Sequence, residues 1–148
     1  MAHVKVDVEQ LLRMSQEDLD DLFRKSPTGD IPRGEGAGTV IVAPGTAVSD
    51  PAARLIHALA WRGKVLDAER GALRNRISPF GVPAIQAKVY VGTSLFDGKE
   101  AIILDYSKTS LIARWIRDEI RLVSPSLYLG VVFWDNAKVL NFALKFPQ

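Results

Sequence analysis

From residue 64 to the C-terminus, apolar residues recur with a period of two, and this pattern limits the possible folds more than any other feature. A period of two is typical of β-strands, whose successive side chains point to opposite faces. Short turn-forming segments separate the strand-like runs, so consecutive strands are expected to pair as an antiparallel meander. The runs are KVLD, ALRNRIS, AIQAKVYVGTS, KEAIILDYS, LYLGVVFW and KVLNFALKF.

The last two runs indicate how such a sheet is covered. "LYLGVVFW" is apolar at nearly every position, which predicts a strand buried on both faces. In the following run, Leu140, Phe142 and Leu144 alternate with Asn141 and Ala143. A sheet with two apolar faces tends to curl and close, because closure removes its exposed edges. We therefore predict an α+β, mainly β fold: a small antiparallel barrel of about six to eight strands.

The N-terminal third is predicted to be helical and irregular. In residues 8–25 the apolar positions fall close to one helical stripe, with acidic residues on the other side. Asp7 can cap the start, and Ser15 with Asp18 offers a second start, so the segment is one helix or two. A further short helix is predicted over residues 51–62, because Asp-Pro precedes it and glycine follows it.

A segment rich in glycine and proline connects these helices. Its run "RGEGAG" superficially suggests a phosphate-binding loop, but it lacks the Lys-Ser/Thr pair and a following helix. We interpret it as a flexible loop that could serve as a lid over a cavity mouth. One short strand, Thr39–Val42, is predicted after it.

Two tight turns are marked by their residue types. Asp97-Gly98 separates two strand-like runs, and residues 135–137 join the last two strands. Asp, Asn and Gly tolerate the left-handed backbone that such turns require. We predict a hairpin at each position.

The charged run "RWIRDEIR" poses the main question about function. Its apolar residues recur at helical spacing, which predicts one helix inserted before the last hairpin, from Thr109 or Ser110 to Pro125. On such a helix the charges form a solvated ladder of opposite signs. The alternative is that Asp118 or Glu119 turns inward and serves as an acid or base.

Composition narrows the class of protein. At 148 residues the chain suits one domain, with a helical and loop part at 1–63 and a barrel part at 64–148. It has no cysteine, and His3 and His57 are too few for a histidine metal site, so we predict no metal. A net charge of +2 gives little reason to expect a nucleic acid partner. Without a signal peptide or an apolar run of membrane-spanning length, a cytoplasmic location is expected.

Four segments carry a family resemblance: "WRGKVLD", "LFDGKEAIILDYS", "IRDEIRLVSPSLYLGVVFW" and "LNFALKF". Over residues 58–146 the chain is similar to uncharacterised bacterial lipocalin-like proteins near the GXWXG and nitrobindin-like families. The resemblance implies a small antiparallel barrel with an apolar cavity, and some members bind haem or another hydrophobic ligand. We expect no cofactor here, and haem is disfavoured because His57 is the one plausible axial ligand.

Three functions fit these features. The first is a soluble barrel that binds a small hydrophobic molecule between aromatic walls and polar anchors. The second is a cofactor-independent isomerase, cyclase or hydratase, with Asp118 or Glu119 as acid/base and Tyr106 as donor. The third is a module that docks on another chain through its N-terminal helix. Whether the protein forms a homodimer is not decided by these features. The candidate ligand-binding residues are Trp61, Tyr90, Trp115, Arg117, Tyr128, Trp134 and Asn141.

Some of these residues have a purely structural alternative. The tyrosines could fill a barrel wall with their hydroxyl groups at its rim. Asn141 could be an edge contact instead of an anchor inside a cavity.

Overall fold

The computed structural model describes residues 6–41, 64–67, 72–75, 86–105 and 116–147. In this part of the chain, two short helices precede eight strands. The helices are α1 (Val8–Arg13) and α2 (Gln16–Lys25). The strands are β1 (Gly34–Ile41), β2 (Lys64–Asp67), β3 (Ala72–Asn75), β4 (Gln86–Thr93), β5 (Glu100–Asp105), β6 (Ile116–Ser124), β7 (Leu127–Trp134) and β8 (Ala137–Lys145).

The strands pair antiparallel in chain order and close into a barrel, because β1 pairs with both β2 and β8. Residues 34–36 of β1 pair with β2, and residues 37–41 pair with β8. Sharing one strand between two neighbours in this way reflects the stagger that a closed barrel requires. The predicted small, mainly β, antiparallel barrel is confirmed at this level.

Two apolar clusters lie on opposite faces of the barrel wall. The strands β7 and β8 contribute alternate residues to both, as their sequence predicts. The outer cluster packs beneath the helices and includes Leu11, Leu19 and Phe23. The other cluster lies on the opposite face, inside the barrel. This interior cluster contains Ala87, Val89, Ile102, Leu104, Ile116, Ile120, Tyr128, Val132, Leu140, Phe142, Leu144 and Phe146.

Two glycines make room for aromatic rings inside the barrel. A Cβ atom at Gly130 would overlap the Phe142 ring, and a Cβ at Gly36 would lie 2.6 Å from Cζ of Phe146. Real carbon atoms do not approach so closely, so each ring needs the bare glycine backbone beneath it. These rings therefore lie directly against the wall at the two glycines.

The N-terminal helices follow the predicted capping signals. The Asp7 carboxylate accepts a hydrogen bond from the backbone N–H of Gln10 at 2.8 Å, and the Gln10 side chain accepts one from Asp7. Ser15 Oγ accepts from the backbone N–H of Asp18 at 3.1 Å, which starts the second helix. The two-helix reading of residues 8–25 is confirmed. The apolar side of both helices is occupied by the barrel wall.

The helix predicted from residue 109 to Pro125 is wrong where it can be compared, because residues 116–124 form β6. Ile116 and Ile120 are four residues apart, a spacing that a helix and a strand both place on one face. Pairing with β5 and β7 decides in favour of the strand. Thr109 and Ser110 lie outside the described residues.

The flexible loop predicted at "RGEGAG" is also wrong. Most of that run forms the first part of β1, ahead of the strand predicted at Thr39–Val42. The run forms a strand because its glycines pair with neighbouring strands and Gly36 accommodates the Phe146 ring. Val42 and the helix predicted at residues 51–62 lie outside the described residues.

Both predicted hairpins are confirmed. Gly98 has φ +76° in the turn between β4 and β5. Asp135 and Asn136 have φ of 48° and 67° in the turn between β7 and β8. Positive φ at both central residues is the geometry of a two-residue type I′ hairpin. The described part of the chain contains no helix that is long and apolar enough to cross a membrane.

Candidate binding site inside the barrel

The charged residues of β6 are divided between the two faces of the barrel wall. Successive side chains of a strand point to opposite sides, so Arg117, Glu119 and Arg121 face outward and Asp118 faces inward. The outward side chains bind other parts of the chain, while Asp118 lies among apolar residues. The charged run that the sequence presents as one group is therefore divided into an outward-facing group and an inward-facing Asp118.

Asp118 is a buried carboxylate on the inner wall. It lies between Ile116 and Ile120 along the strand and opposite Leu104 and Val132 across it. All four neighbours belong to the interior cluster, and Asp118 is 2% exposed. The carboxylate also has an interaction partner within the chain. The described part of the interior thus combines an apolar wall with one carboxylate, that of Asp118.

The two ends of the barrel differ. At the end that we call the upper end, β6 begins at Ile116, and Trp134 packs against the interior cluster. At the other end, which we call the base, residues 27–33 run across the barrel. The backbone N–H of Leu122 donates to the carbonyl of Pro27 at 3.0 Å, and Ile31 packs on the interior cluster. This segment therefore covers part of the interior at the base.

Tyr128 fastens this crossing segment. Its hydroxyl donates to the backbone carbonyl of Asp30 at 2.5 Å, and its ring meets that of Phe146 edge-on at 5.7 Å. Burial, followed by the charge of Asp30, raises the pKa of Tyr128 above its usual value. The hydroxyl therefore stays protonated and remains a hydrogen-bond donor to the Asp30 carbonyl. A shallow groove of about 290 Å³ lies beside it, lined by Asp30, Pro32, Arg33, Leu122, Ser126, Tyr128, Phe146 and Pro147.

Glu119 holds the turn between β4 and β5 on the outside of the barrel. Its Oε1 accepts from Ser94 Oγ at 2.5 Å, and its Oε2 accepts from the backbone N–H of Leu95 at 2.8 Å. Arg117 Nε donates to the same Oε2 at 3.2 Å, and Arg117 Nη2 donates to the carbonyl of Thr93. Both residues were predicted site residues, and the structure places neither inside the barrel.

Arg121 joins three elements at one buried guanidinium group, which is 1% exposed. Nη1 and Nη2 each donate to an Asp97 carboxylate oxygen at 2.7 Å. Nε donates to the carbonyl of Glu100 at 3.0 Å, and Nη1 also donates to that of Phe23 at 2.9 Å. The guanidinium lies over the Phe23 ring, 4.4 Å from its centroid. Arg121 thereby connects β6, the β4–β5 turn and the end of α2.

The Arg121 pair predicts an acid-sensitive contribution to stability. The hydrogen bond from Arg121 is the main cause that lowers the pKa of Asp97 from 3.8 to about 2. Because the folded-state pKa is depressed, this stabilisation is complete above the unfolded pKa near 3.8 and is lost as pH falls toward 2. At ~1.4 kcal/mol per pKa unit it amounts to roughly 2 kcal/mol at neutral pH.

The test is chemical unfolding followed across the acid range. We expect Asp97→Asn to flatten the loss of unfolding free energy between about pH 4 and pH 2. The matched control is Asp21→Asn, which removes an exposed ion pair with Arg24 and should leave the profile close to that of the parent. An unchanged acid profile in Asp97→Asn would contradict the assignment.

Asn141 lies on the outer face, beneath α2. Its Nδ2 donates to the carbonyl of Gly130 at 3.0 Å, and its Oδ1 accepts from Gln16 Nε2 at 2.8 Å. Gln16 also donates to Asp20, which pairs with Lys138. Neither alternative from the sequence describes this geometry: Asn141 is fully buried, paired on both sides and turned away from the interior, and its side chain secures the start of α2 to β8.

The other predicted site residues are dispersed. Tyr90 is exposed on β4, and its hydroxyl donates to Asp105 Oδ2 at 2.9 Å. Burial, then the hydrogen bond with Asp105, raises the pKa of Tyr90. Of the residues proposed from sequence, the described interior brings together Asp118, Tyr128 and Trp134. Trp61, Tyr106, Trp115 and His57 lie outside the described residues.

The sequence contained a signal that separates Asp118 from its neighbours. "IRDEI" places Asp118 midway between two isoleucines, which is the alternation of an inward-facing strand. The role of Arg121 had no such signal, because its partners lie 21 to 98 residues away along the chain.

These features define a small closed antiparallel barrel with two helices on its outer wall. Among solved structures, a protein from Thermomonospora curvata is similar, with a TM-score of 0.63 and 17% sequence identity. The match covers 91% of this chain and 89% of that chain, and at this identity it supports the fold alone. No family model and no curated protein matches the sequence.

Proposed function

We propose that this chain is a lipocalin-like barrel that binds a small, largely hydrophobic ligand in its interior. The observation that supports it most directly is Asp118, a carboxylate buried in the apolar inner wall. Ligand pockets commonly combine an apolar lining with a few placed polar groups, and barrel mouths are a frequent location.

The cost of burying a carboxylate supports a role for Asp118 beyond packing. An ionised group is expensive to remove from water, even when it has a partner. Glu119 and Asp97 bind partners on the outer face, and Asp118 also has an interaction partner within the chain. Asp118 lies on the other side of the wall, where a carboxylate offers an anchor to a guest molecule. Ionisable groups in such surroundings are enriched at functional sites.

The distribution of side chains inside the barrel favours the upper half as the binding region. Around Asp118 the described wall is aliphatic, with Leu104, Ile116 and Val132. Toward the base the aromatic rings of Tyr128 and Phe146 meet. A ligand bound in the upper half would contact this aliphatic wall and lie above these rings.

The proposal is tested by filling the inner wall and looking for a retained ligand. Native mass spectrometry of freshly purified protein should show an extra lipophilic mass. Ala87→Phe adds a ring on the inner face and should remove that mass, while Lys88→Phe adds the same ring on the exposed face and should keep it. Circular dichroism checks that both variants stay folded, because overpacking costs about 1–3 kcal/mol.

Two outcomes would count against a binding barrel. The first is the absence of a retained mass from several independent preparations. The second is an Ala87→Phe variant that is folded and still carries the same mass as the parent.

A second candidate is a cofactor-independent isomerase, cyclase or hydratase that uses Asp118 as its acid or base. The placement of Asp118 inside the barrel favours it over Glu119, which is bound to Ser94 and Leu95 outside. In this case Asp118→Asn should abolish turnover in a protein that stays folded. Glu119→Gln should mainly lower the melting temperature and retain turnover. Equal effects of the two substitutions on turnover would contradict this assignment.

A further inference from the structure

The crossing segment, residues 27–33, has fewer buried contacts than the elements on either side of it. Pro32 is its one buried residue, and Ile31 is half-buried where it packs on the interior cluster. Before the segment, α2 buries Phe23 completely, and after it β1 is paired with strands on both sides. Segments with few buried apolar contacts open locally at a lower free energy than the whole fold. We therefore expect this segment to open before the barrel does.

Hydrogen bonds to backbone carbonyls attach the crossing segment to the barrel. They join Leu122 N–H to Pro27, Thr28 Oγ1 to Glu100 and the Tyr128 hydroxyl to Asp30, at 3.0, 3.1 and 2.5 Å. Arg33 has a further interaction within the chain. A single neutral hydrogen bond contributes little net free energy, because water replaces the partner when the bond breaks. None of these three bonds belongs to the pairing of the strands, so they can break while the barrel stays closed.

Backbone positions at both ends of the crossing segment are suited to act as hinges. Ser26 ends α2 with an extended backbone, at φ −82° and ψ 143°. Gly34, the first residue of β1, has φ +86°, and no atom lies within 4 Å of a Cβ added there. Hinges are a few terminal residues of this kind that absorb a change of φ and ψ. Between them Gly29 is closely seated, because an added Cβ would lie 2.6 Å from the Cβ of Leu122.

The groove at the base and the interior of the barrel share side chains. Leu122, Tyr128 and Phe146 line the groove, and they also belong to the interior cluster or pack against it. The crossing segment forms the other side of the groove through Asp30 and Pro32. Tyr128 connects the two sides, because its hydroxyl holds Asp30 and its ring meets Phe146 edge-on. The side chains between groove and interior thus include the one that fastens the segment.

We propose that the crossing segment is a hinged lid that opens between Ser26 and Gly34 when Tyr128 releases Asp30, and that this opening extends the groove into the interior for entry of the ligand. The inference rests on the proposed binding barrel and adds a route into it at the base. With the segment in place, the rings of Tyr128 and Phe146 close this route. After release the Tyr128 hydroxyl is free, so the ring can adopt another rotamer and turn away from Phe146.

Amide hydrogen exchange, measured by NMR, tests whether the segment opens on its own. The Leu122 amide donates to Pro27 and reports on the segment, while the Phe146 amide donates to Ser126 at 2.8 Å and reports on the barrel at the same end. Tyr128→Phe removes the hydroxyl and keeps the ring. It should raise the exchange rate of the Leu122 amide about 3- to 10-fold and change that of Phe146 less than about 2-fold. Equal acceleration of both amides would overturn the inference, because the barrel would then open as a whole.

A matched pair of glycine substitutions separates the seating of the segment from backbone strain. Gly29 and Gly98 have φ of 72° and 76°, so alanine has a similar backbone cost at both. An added Cβ meets Leu122 at Gly29, whereas nothing lies within 4 Å of it at Gly98. Gly29→Ala should therefore speed exchange of the Leu122 amide at least ~10-fold relative to Phe146, and Gly98→Ala should leave this ratio unchanged. The same ratio in both variants would count against a separately opening segment.

Entry of a ligand is tested by fixing the segment to the barrel. The chain has no cysteine, so Thr28→Cys with Glu100→Cys gives one thiol on each side of the hydrogen bond between these residues. A short reagent with two methanethiosulfonate groups joins the thiols, and a reductant releases them. Binding of the neutral fluorescent probe phenylnaphthylamine is followed by stopped flow. The cross-link should slow association at least ~10-fold and reduction should restore it, while Tyr128→Phe should speed association about 3- to 10-fold.

The results separate this inference from the proposed function. If the probe binds at the same rate with and without the cross-link, entry at the base is overturned and the binding barrel stands. If the cross-link slows binding and reduction restores it, both proposals are supported. If the probe does not bind and native mass spectrometry shows no retained lipophilic mass, both proposals fall.

Discussion

Replacing Arg121 by methionine is expected to lower the free energy of unfolding by about 3–5 kcal/mol. The substitution keeps most of the apolar stem but leaves the Asp97 carboxylate, which is 11% exposed, without its bidentate partner. It also removes the donors to the carbonyls of Glu100 and Phe23. Because buried polar groups lose water on folding, each lost donor adds to the cost. Urea unfolding at neutral pH measures the change.

Three further variants show whether the effect comes from this network. Arg24→Met removes an exposed arginine on α2 and should cost less than about 1 kcal/mol. Arg121→Lys keeps the charge but cannot form the same fork of donors, so it should recover only part of the stability. Adding Asp97→Asn to Arg121→Met should cost less than the sum of the two changes, because no unpaired charge remains. Equal stability of Arg121→Met and Arg24→Met would contradict the role of Arg121.

Substituting Gly130 by alanine is expected to destabilise the barrel by about 3 kcal/mol, at the upper end of overpacking costs. The new methyl group would overlap the Phe142 ring, which lies against the glycine inside the barrel. The ring is fully buried, so it has little space into which it can move. Thermal or urea unfolding of the variant provides the measurement.

The glycine contact has a graded control and a rescue. At Gly92 an added Cβ would lie 3.1 Å from Cγ1 of Ile103, which a small shift can relieve. We expect Gly92→Ala to cost less than about 1 kcal/mol. Phe142→Leu removes the ring, so the double variant with Gly130→Ala should be more stable than additivity predicts. Simple additivity would show that ring and glycine do not depend on each other.

Local patterning was enough to predict most of the barrel. The alternation in β8 identified Leu140, Phe142 and Leu144 as one face, and they all lie in the interior cluster. The apolar run of β7 correctly predicted burial on both sides. The turn residues predicted both hairpins, because positive φ has a strong residue preference. These features depend on neighbours within a few residues.

β6 shows why the remaining features were harder to predict. Its isoleucines at positions 116 and 120 fit a helix and a strand equally, and pairing with β5 and β7 decides between them. Read as a helix, the segment could not distinguish Asp118 from Glu119. Read as a strand, the segment places them on opposite sides of the wall. The candidate site therefore depended on one secondary-structure assignment that only distant partners could make.

The hydrogen bonds that hold the N-terminal segment on the barrel affect the order in which the parts of the chain fold. Gln16 is hydrogen-bonded to Asn141, 125 positions later in the chain. The carbonyls of Phe23 and Asp30 each accept a hydrogen bond from a residue 98 positions later. Chain closure over such distances costs entropy before any contact compensates. During synthesis, the N-terminal helices thus lack these partners until β6, β7 and β8 have left the ribosome. We expect the N-terminal helices to acquire protection from hydrogen exchange only after the final hairpin has formed.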